Sequence, residues 1–313
     1  MITLRNTRDN LATSVPLVLR GAKMSKPLSQ SQRQRLRFIE SCLLWEGLLQ
    51  RKDICEAFGL TLNHVTRELT AYRKQHENNL VYDPEMRAWR IGPDFKPAYA
   101  TGDADEYLAM LHAYALSGEA SVMVTAGPTV KAEALPPVAG KIDRAVLKDV
   151  IRGLRRNHGV VVKYQSFSDP EPTERTLWPY GLVFANERWH VRAYDSRKQR
   201  FSDFVLARIL KARRATESAA IASAEQDRDW QTRVAIDVVP AAGLSASQQA
   251  VVAREFGMRR QGELWCWKVS MRQCLVKYFL LVHRLDLPAG AEPHRRIALR
   301  DPKLAKVYAF DDD

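Results

Sequence analysis

The chain has 313 residues, 46% hydrophobic and 27% charged, and carries a formal net charge of +12. That length allows two or three domains with ordinary cores. No apolar run approaches the roughly 18 residues that a membrane-spanning helix needs, so a membrane partner is not expected and a cytoplasmic location is. Four cysteines (Cys42, Cys55, Cys266 and Cys274) form no CxxC pair, which argues against a zinc site or a disulfide framework. The positive charge is uneven. Residues 1–100 and 141–214 are basic and residues 101–140 are acidic. Basic blocks suit a polyanionic partner, because pairing phosphates releases counterions. A solvated basic surface has the same charge count, so charge alone leaves the partner open.

Residues 1–24 contain short apolar stretches broken by Arg5, Arg8, Asp9 and Pro16, which is not a secretory leader. The expectation is a disordered tail, or a start placed upstream of the true one at Met24. Residues 25–96 have the pattern of a helical domain with a hairpin. A helix is expected over 29–50, capped by Ser29 or Ser31, with Leu36, Ile39 and Leu43 on one face. A short helix over 51–58 stops at Gly59. A third, over 62–75, places Leu62, Val65, Leu69 and Tyr72 on its buried side. Leu80–Tyr82 and Ala88–Ile91, around Asp83-Pro84-Glu85, read as a β-hairpin.

Residues 97–157 are expected to connect domains, with one helix near 103–117 and a basic-faced helix over 143–157. From residue 160 the period becomes strand-like. Strands at 160–164, 182–184, 189–194 and 201–209, with a turn at Asn186-Glu187, predict a small β-barrel over 158–214. After a linker, strand and helix patterns alternate through 225–313, an α/β module. The fold class is therefore α+β and multidomain.

Two constellations carry chemistry. In the first, Arg51, Cys55, Gly59 and Val65-Thr66-Arg67 fall at the spacing of a helix-turn-helix. The motif needs a small residue where its helices cross, a left-handed turn residue, and a β-branched residue locking the second helix. The exposed side of that helix then presents Asn63, His64, Thr66, Arg67, Thr70, Arg73 and Lys74, side chains that reach base edges and phosphates in a major groove. The hairpin stands where a wing would, offering Arg87 and Arg90 to phosphates. A helical hairpin without DNA shares the bare spacing. The glycine, the polar face and the wing together favour double-stranded DNA.

The second constellation lies within 164–208. Strand alternation puts His190, Arg192 and Tyr194 on one face, and Tyr164 and Ser166 share a face of the first strand. Arg175, Arg188, Arg200 and Arg208 add charge nearby. Arginines with aromatics and a serine fit a pocket for a phosphate-bearing or nucleotide-like ligand. They fit equally a barrel with solvated arginines and a histidine at its edge, and the residues leave both open.

The stretch YQSFSDPEPTERTLWPYGLVFANERWHVRAYDSRKQRFSDFVLARI, residues 164–209, resembles a WYL domain. A winged helix-turn-helix, this domain and a C-terminal extension, in that order, resemble the bacterial WYL transcription regulators. The wing NLVYDPEMRAWRIGPDFKP and the RWHVRAY strand are most similar to the BrxR/CapW type found beside phage-defence operons. The resemblance implies a homodimeric repressor that binds an inverted repeat, with an Sm-like barrel sensing a nucleotide, oligonucleotide or other anionic effector. It carries the ligand surface over to Tyr164, Ser166, Arg175, Arg188, His190, Arg192, Tyr194 and Arg208. The chain departs from the pattern at Tyr180, where many WYL domains have histidine after the proline, and this puts ligand identity in doubt. The C-terminal module resembles the extension called WCX; Trp265, Trp267 and Val269 alternate on one strand face, and the tryptophans are expected in its core.

Nothing assembles an enzyme. HExxH, GxSxG, a Walker loop and GxGxxG are absent, and histidines 64, 76, 112, 158, 190, 283 and 294 lack metal-ligand spacing. No cofactor is expected. The other reading is a module that senses a ligand or single-stranded nucleic acid and modulates a partner enzyme or RNA polymerase.

Overall fold

The computed structural model describes residues 28–310 apart from 124–125, 129, 139, 217–220, 289–290 and 293, so the expected tail at 1–24 and Met24 lie outside it. The chain divides into two compact units, Met1–Leu135 and Pro136–Asp313.

The first unit begins with α1 (Gln30–Glu46), whose N-terminus is closed by a reciprocal Ser29–Gln32 capping box. The helix stops four residues before its expected end because Gly47 takes a left-handed φ of 70°. Leu48–Leu49 is instead a short strand, β1. Then follow α2 (Arg51–Phe58), α3 (Leu62–Gln75) and the hairpin strands β2 (Leu80–Asp83) and β3 (Ala88–Ile91). The sheet order β1-β3-β2 makes β1 the third strand of the wing, a role the sequence reading missed. Ile39, Leu43, Leu49, Ile54, Val65, Leu69 and Tyr72 close a common core at 1% exposure or less. Each such side chain contributes about 1.5–3 kcal/mol by leaving water.

The region expected to connect domains, 97–157, is split between the two units. Its first part folds onto α1. Glu40, fully buried, accepts hydrogen bonds from the Ala98, Tyr99 and Ala100 amides at 2.6–3.0 Å and from the Tyr72 hydroxyl at 2.7 Å. Those four donors satisfy the carboxylate, and among the described residues no cation pairs with it. Helix α4 (Ala104–Ser117) then sets Tyr107 against Trp45, with ring centroids 5.0 Å apart.

The second unit is built on a five-stranded antiparallel sheet. Its members are β4 (Val160–Tyr164), β5 (Thr173–Ala185), β6 (Arg188–Asp195), β7 (Arg200–Val205) and β8 (Ile209–Arg214), in the order β7-β6-β5-β4-β8. A single strand was expected over 201–209. A 3-10 turn at Leu206–Arg208 breaks it into β7 and β8. A small β-barrel was expected here; β7 and β8 end the strand order, and the Val205 amide donating to the Tyr164 hydroxyl at 3.3 Å draws those ends together. Helix α5 (Arg144–Arg156) covers one face through Val146 and Val150, turning Lys148, Arg152, Arg155 and Arg156 outward.

On the opposite face lie α6 (Arg228–Gln231) and α8 (Gln273–Val282) from the C-terminal part. That part holds β9 (Arg233–Pro240), α7 (Ala246–Glu255), β10 (Arg259–Gln261), β11 (Leu264–Arg272), β12 (Ile297–Leu299) and α9 (Lys303–Val307), with the sheet order β10-β11-β9-β12. Trp265 and Trp267 pack against its core, as expected. Among the described residues no helix is long and apolar enough to cross a membrane.

Candidate nucleic-acid interface and a basic cleft

Helix α3 is capped by Thr61 and exposes Asn63, His64, Thr66, Arg67, Thr70, Arg73 and Lys74. Leu62, expected in the core, is 56% exposed, because the first residue of the helix projects beyond the crossing with α2. The lone acid of α3, Glu68, is turned inward. Its two oxygens accept from Arg35 Nε at 2.7 Å and Nη2 at 2.9 Å. The outward face therefore carries no acid, and its charged side chains are all cationic. Thr66 donates to the Leu62 carbonyl at 2.7 Å and accepts from Arg51 Nη1 at 3.1 Å, which adds Arg51 to this surface. The sequence reading used Arg51 only to start a helix.

The wing meets the same face. Arg73 lies over the Trp89 ring at 5.1 Å. Arg87, at the wing tip, is exposed in a left-handed turn (φ 51°). Arg90 Nη1 is 3.3 Å from Asp83 Oδ2. The Met86 amide first, and Arg90 after it, hold the Asp83 carboxyl below its usual range.

In the second unit a cleft of about 700 Å³ opens at the β7 edge. It brings together Tyr164, Ser166, Arg175, Arg188, His190 and Arg208 of the expected ligand residues with Arg200, whose charge was also expected nearby, and adds Arg197, Lys198 and Lys277. Among the described residues, and leaving aside Lys198 and Arg200, which have partners of their own, five Lys or Arg side chains there face three carboxylates, Asp169, Asp195 and Asp203. Such an excess favours an anion. At the buried end Arg175 pairs with Asp195 at 3.2 Å, donates to Thr173 at 2.8 Å and lies over the Tyr164 ring at 5.3 Å. Its Nε has no hydrogen-bond partner among the described residues. His190 Nδ1 sits 3.1 Å from the Arg188 carbonyl, and burial pushes its pKa below the ordinary value.

Arg192 and Tyr194 do not line this cleft. Arg192, 3% exposed, gives Nε and Nη2 to Asp227 at 2.8 and 3.1 Å and Nη1 to Asp203 at 3.3 Å. Burial alone would lower its pKa, but the paired carboxylates outweigh burial and raise it. Tyr194 packs on Phe201, with centroids 5.2 Å apart. Tyr180, the departure from the usual pattern, is the bulged residue of β5 and donates its hydroxyl to Asp227. Asp227 also caps α6, so Arg192 and Tyr180 fasten the sheet to the start of the C-terminal part. The residues that sequence reasoning missed, Lys277, Tyr278, Leu281 and Phe310, come from that part. Only the packing of α8 on the sheet brings them there, and no local pattern signals it. Among the described residues no group of three His, Cys, Asp or Glu side chains is arranged to hold a metal.

Comparison with known proteins agrees with this division. Residues 31–113 match the BrxR transcriptional regulator winged helix-turn-helix domain, 145–214 the WYL domain, and 233–304 the BrxR transcriptional regulator C-terminal dimerization domain. The first match runs into α4, in keeping with its packing on α1. The DNA-binding transcriptional repressor CapW of Escherichia coli (strain KTE188) is 32% identical over 279 residues, covering 89% of this chain and 91% of that protein. CapW of Pseudomonas aeruginosa is 31% identical over 255 residues, 82% of this chain and 83% of that protein. The proteasome accessory factor B/C of Arthrobacter aurescens aligns structurally over 89% of this chain and 46% of its own, at 16% identity and a TM-score of 0.27, too loose to add to these relatives.

Proposed function

The chain belongs to the BrxR/CapW family of DNA-binding transcriptional repressors, non-enzymatic regulators with a dimerization domain, and on that premise we propose that it reads an inverted repeat as a homodimer and is released by an anionic effector held in the basic cleft. The observation that carries the DNA part is the face of α3, whose single acid is drawn inward by Arg35 while Asn63, Thr66 and Arg67 point outward. Asn63, Thr66 and Arg67 contact bases. Arg51, His64, Thr70, Arg73, Lys74, Arg87 and Arg90 hold the backbone. A two-fold dimer presents two such helices, so half-sites fall one helical turn, about 34–36 Å, or a multiple of it apart.

The effector part rests on the cationic lining of the cleft and on the unpaired Arg175 Nε at its buried end. A volume near 700 Å³ suits a nucleotide or a short oligonucleotide. The regulated genes are taken to be a phage-defence operon, as the resemblance implies.

A mobility-shift assay on duplex from the protein's own upstream region tests the reading. Wild type shifts duplex containing the inverted repeat. Arg67→Ala weakens that binding by about 1–3 kcal/mol and relaxes sequence preference, whereas Lys74→Ala weakens all duplexes alike and reduces the salt slope by about one. A protein that ignores duplex at low salt but holds single strands tightly fits the other reading, in which the unit on 136–313 is itself the nucleic-acid sensor.

A further inference from the structure

We propose that Lys277 is an effector-binding residue supplied to the cleft by the C-terminal dimerization domain, and that by exchanging Asp203 for the effector's anionic group it carries occupancy of the cleft into that domain. The proposal rests on the reading of the cleft as an anion site. Lys277 stands on α8, outside the WYL segment, with Nζ 3.4 Å from Asp203 Oδ2. It is 30% exposed, while Asp203 is 1% exposed. Asp203 does not depend on it. Arg192 holds one oxygen at 3.3 Å, and the Tyr278 hydroxyl donates to the other at 3.2 Å. Losing a part-exposed ammonium therefore leaves no buried charge unpaired, and that is what makes the exchange cheap.

The ammonium is also flanked by aromatic faces, lying 5.2 Å from the ring centroids of both Tyr278 and Phe310. These rings keep the side chain in the cleft while its four-carbon stem lets the head move. The neighbouring residues of α8 tie the helix down on both sides. Val276 and Leu280 sit in the core of the C-terminal part at 1% exposure or less, and Tyr278 stacks on His190 at 5.1 Å. A pull on Lys277 is thus a pull on a helix bonded to both the sheet and the dimerization core.

The test uses the full-length protein, with pyrophosphate and adenosine monophosphate as probes in titration calorimetry at low salt. Amide hydrogen exchange is followed across 188–205 and 273–282. Wild type binds a probe and slows exchange in both segments. Lys277→Gln binds about tenfold more weakly, the loss of one charge-assisted hydrogen bond, and its α8 no longer responds. Lys277→Arg restores both readouts. Lys268→Gln, on β11 and outside the cleft lining, behaves as wild type. Lys277→Met, which keeps the stem against Phe310, replaces the Gln variant if that one is unfolded. Equal binding by wild type and Lys277→Gln overturns the exchange but leaves the anion site standing, as does protection of 188–205 without protection of 273–282. A wild type that binds neither probe overturns the anion site and the exchange together.

Discussion

Two arginines lie buried on one sheet of this protein and do different things. Arg192 on β6 spends its donors on Asp227 and Asp203 and raises no question of a ligand. Arg175 on β5 meets one carboxylate, Asp195, and one hydroxyl, and among the described residues its Nε beside the cleft has no partner. Burial is the same in both, and the strand pattern gives both the same standing as ligand residues. The number of carboxylates each meets separates a fastening from a receptor, because a buried guanidinium whose donors are all matched has nothing left for an incoming anion.

The largest effect expected from that contrast is on folding. Arg192→Ala strands Asp227 without its cation and leaves Asp203 only the part-exposed Lys277, and removing one partner of a buried pair costs about 3–5 kcal/mol. Urea denaturation of the purified protein should show that loss, with the transition of the 136–313 unit moved to lower urea. Full stability in Arg192→Ala, with effector response alone gone, would put Arg192 back among the ligand residues. Arg175→Gln comes next. It leaves a single carboxylate short of a cation, and Asp195 still accepts the Arg197 amide at 2.9 Å. A loss of about 1–3 kcal/mol is expected, with anion binding in the cleft abolished. Equal destabilisation by the two substitutions would erase the distinction between them.

The same contrast shows what the chain spells out locally and what it does not. Gly59 and Val65 mark the helix-turn-helix because each answers a constraint within a few residues: a turn at φ 62° and a helix crossing where Val65 is fully buried. Asn186 and Glu187 likewise turn the β5–β6 hairpin with φ of 48° and 57°. Arg192 is different, because its fate depends on Asp227, which lies 35 positions away on another element. The alternation of β6 correctly gives the face and says nothing about what covers it. Lys277 was invisible for the same reason. The strand Leu48–Leu49 escaped notice because two residues carry no period, and only pairing with Arg90 and Trp89 defines them.

The smallest effect probes the Arg192 side through pH. His190 shares that face and looks onto Asp203, Lys277 and Tyr278. Burial lowers its pKa below the ordinary 6.5, and the pull of Asp203 in the other direction does not make up the difference. His283, stacked on Phe279, is lowered by burial as well. Above pH 6.5 both rings are neutral whether the chain is folded or not, and they contribute no pH dependence. As pH falls through that value the unfolded chain takes up protons that the folded one resists, so stability declines. Further decline follows at lower pH from carboxyls held below their ordinary values, Glu106 from 4.5 and the more buried Asp227 from 3.8. Burial raises the Asp227 carboxyl, but its bonds to Arg192 and Tyr180 hold it lower on balance. Melting curves of wild type should show both stages, and His190→Gln should soften the first while leaving the His283 share and the second stage intact. The effect is modest because a neutral imidazole strands no charge. A protein that instead gains stability between neutral and mildly acid pH, and loses that gain in His190→Gln, would mean that Asp203 retains negative potential beyond what Arg192 neutralises. Arg192 would then be no more completely matched than Arg175.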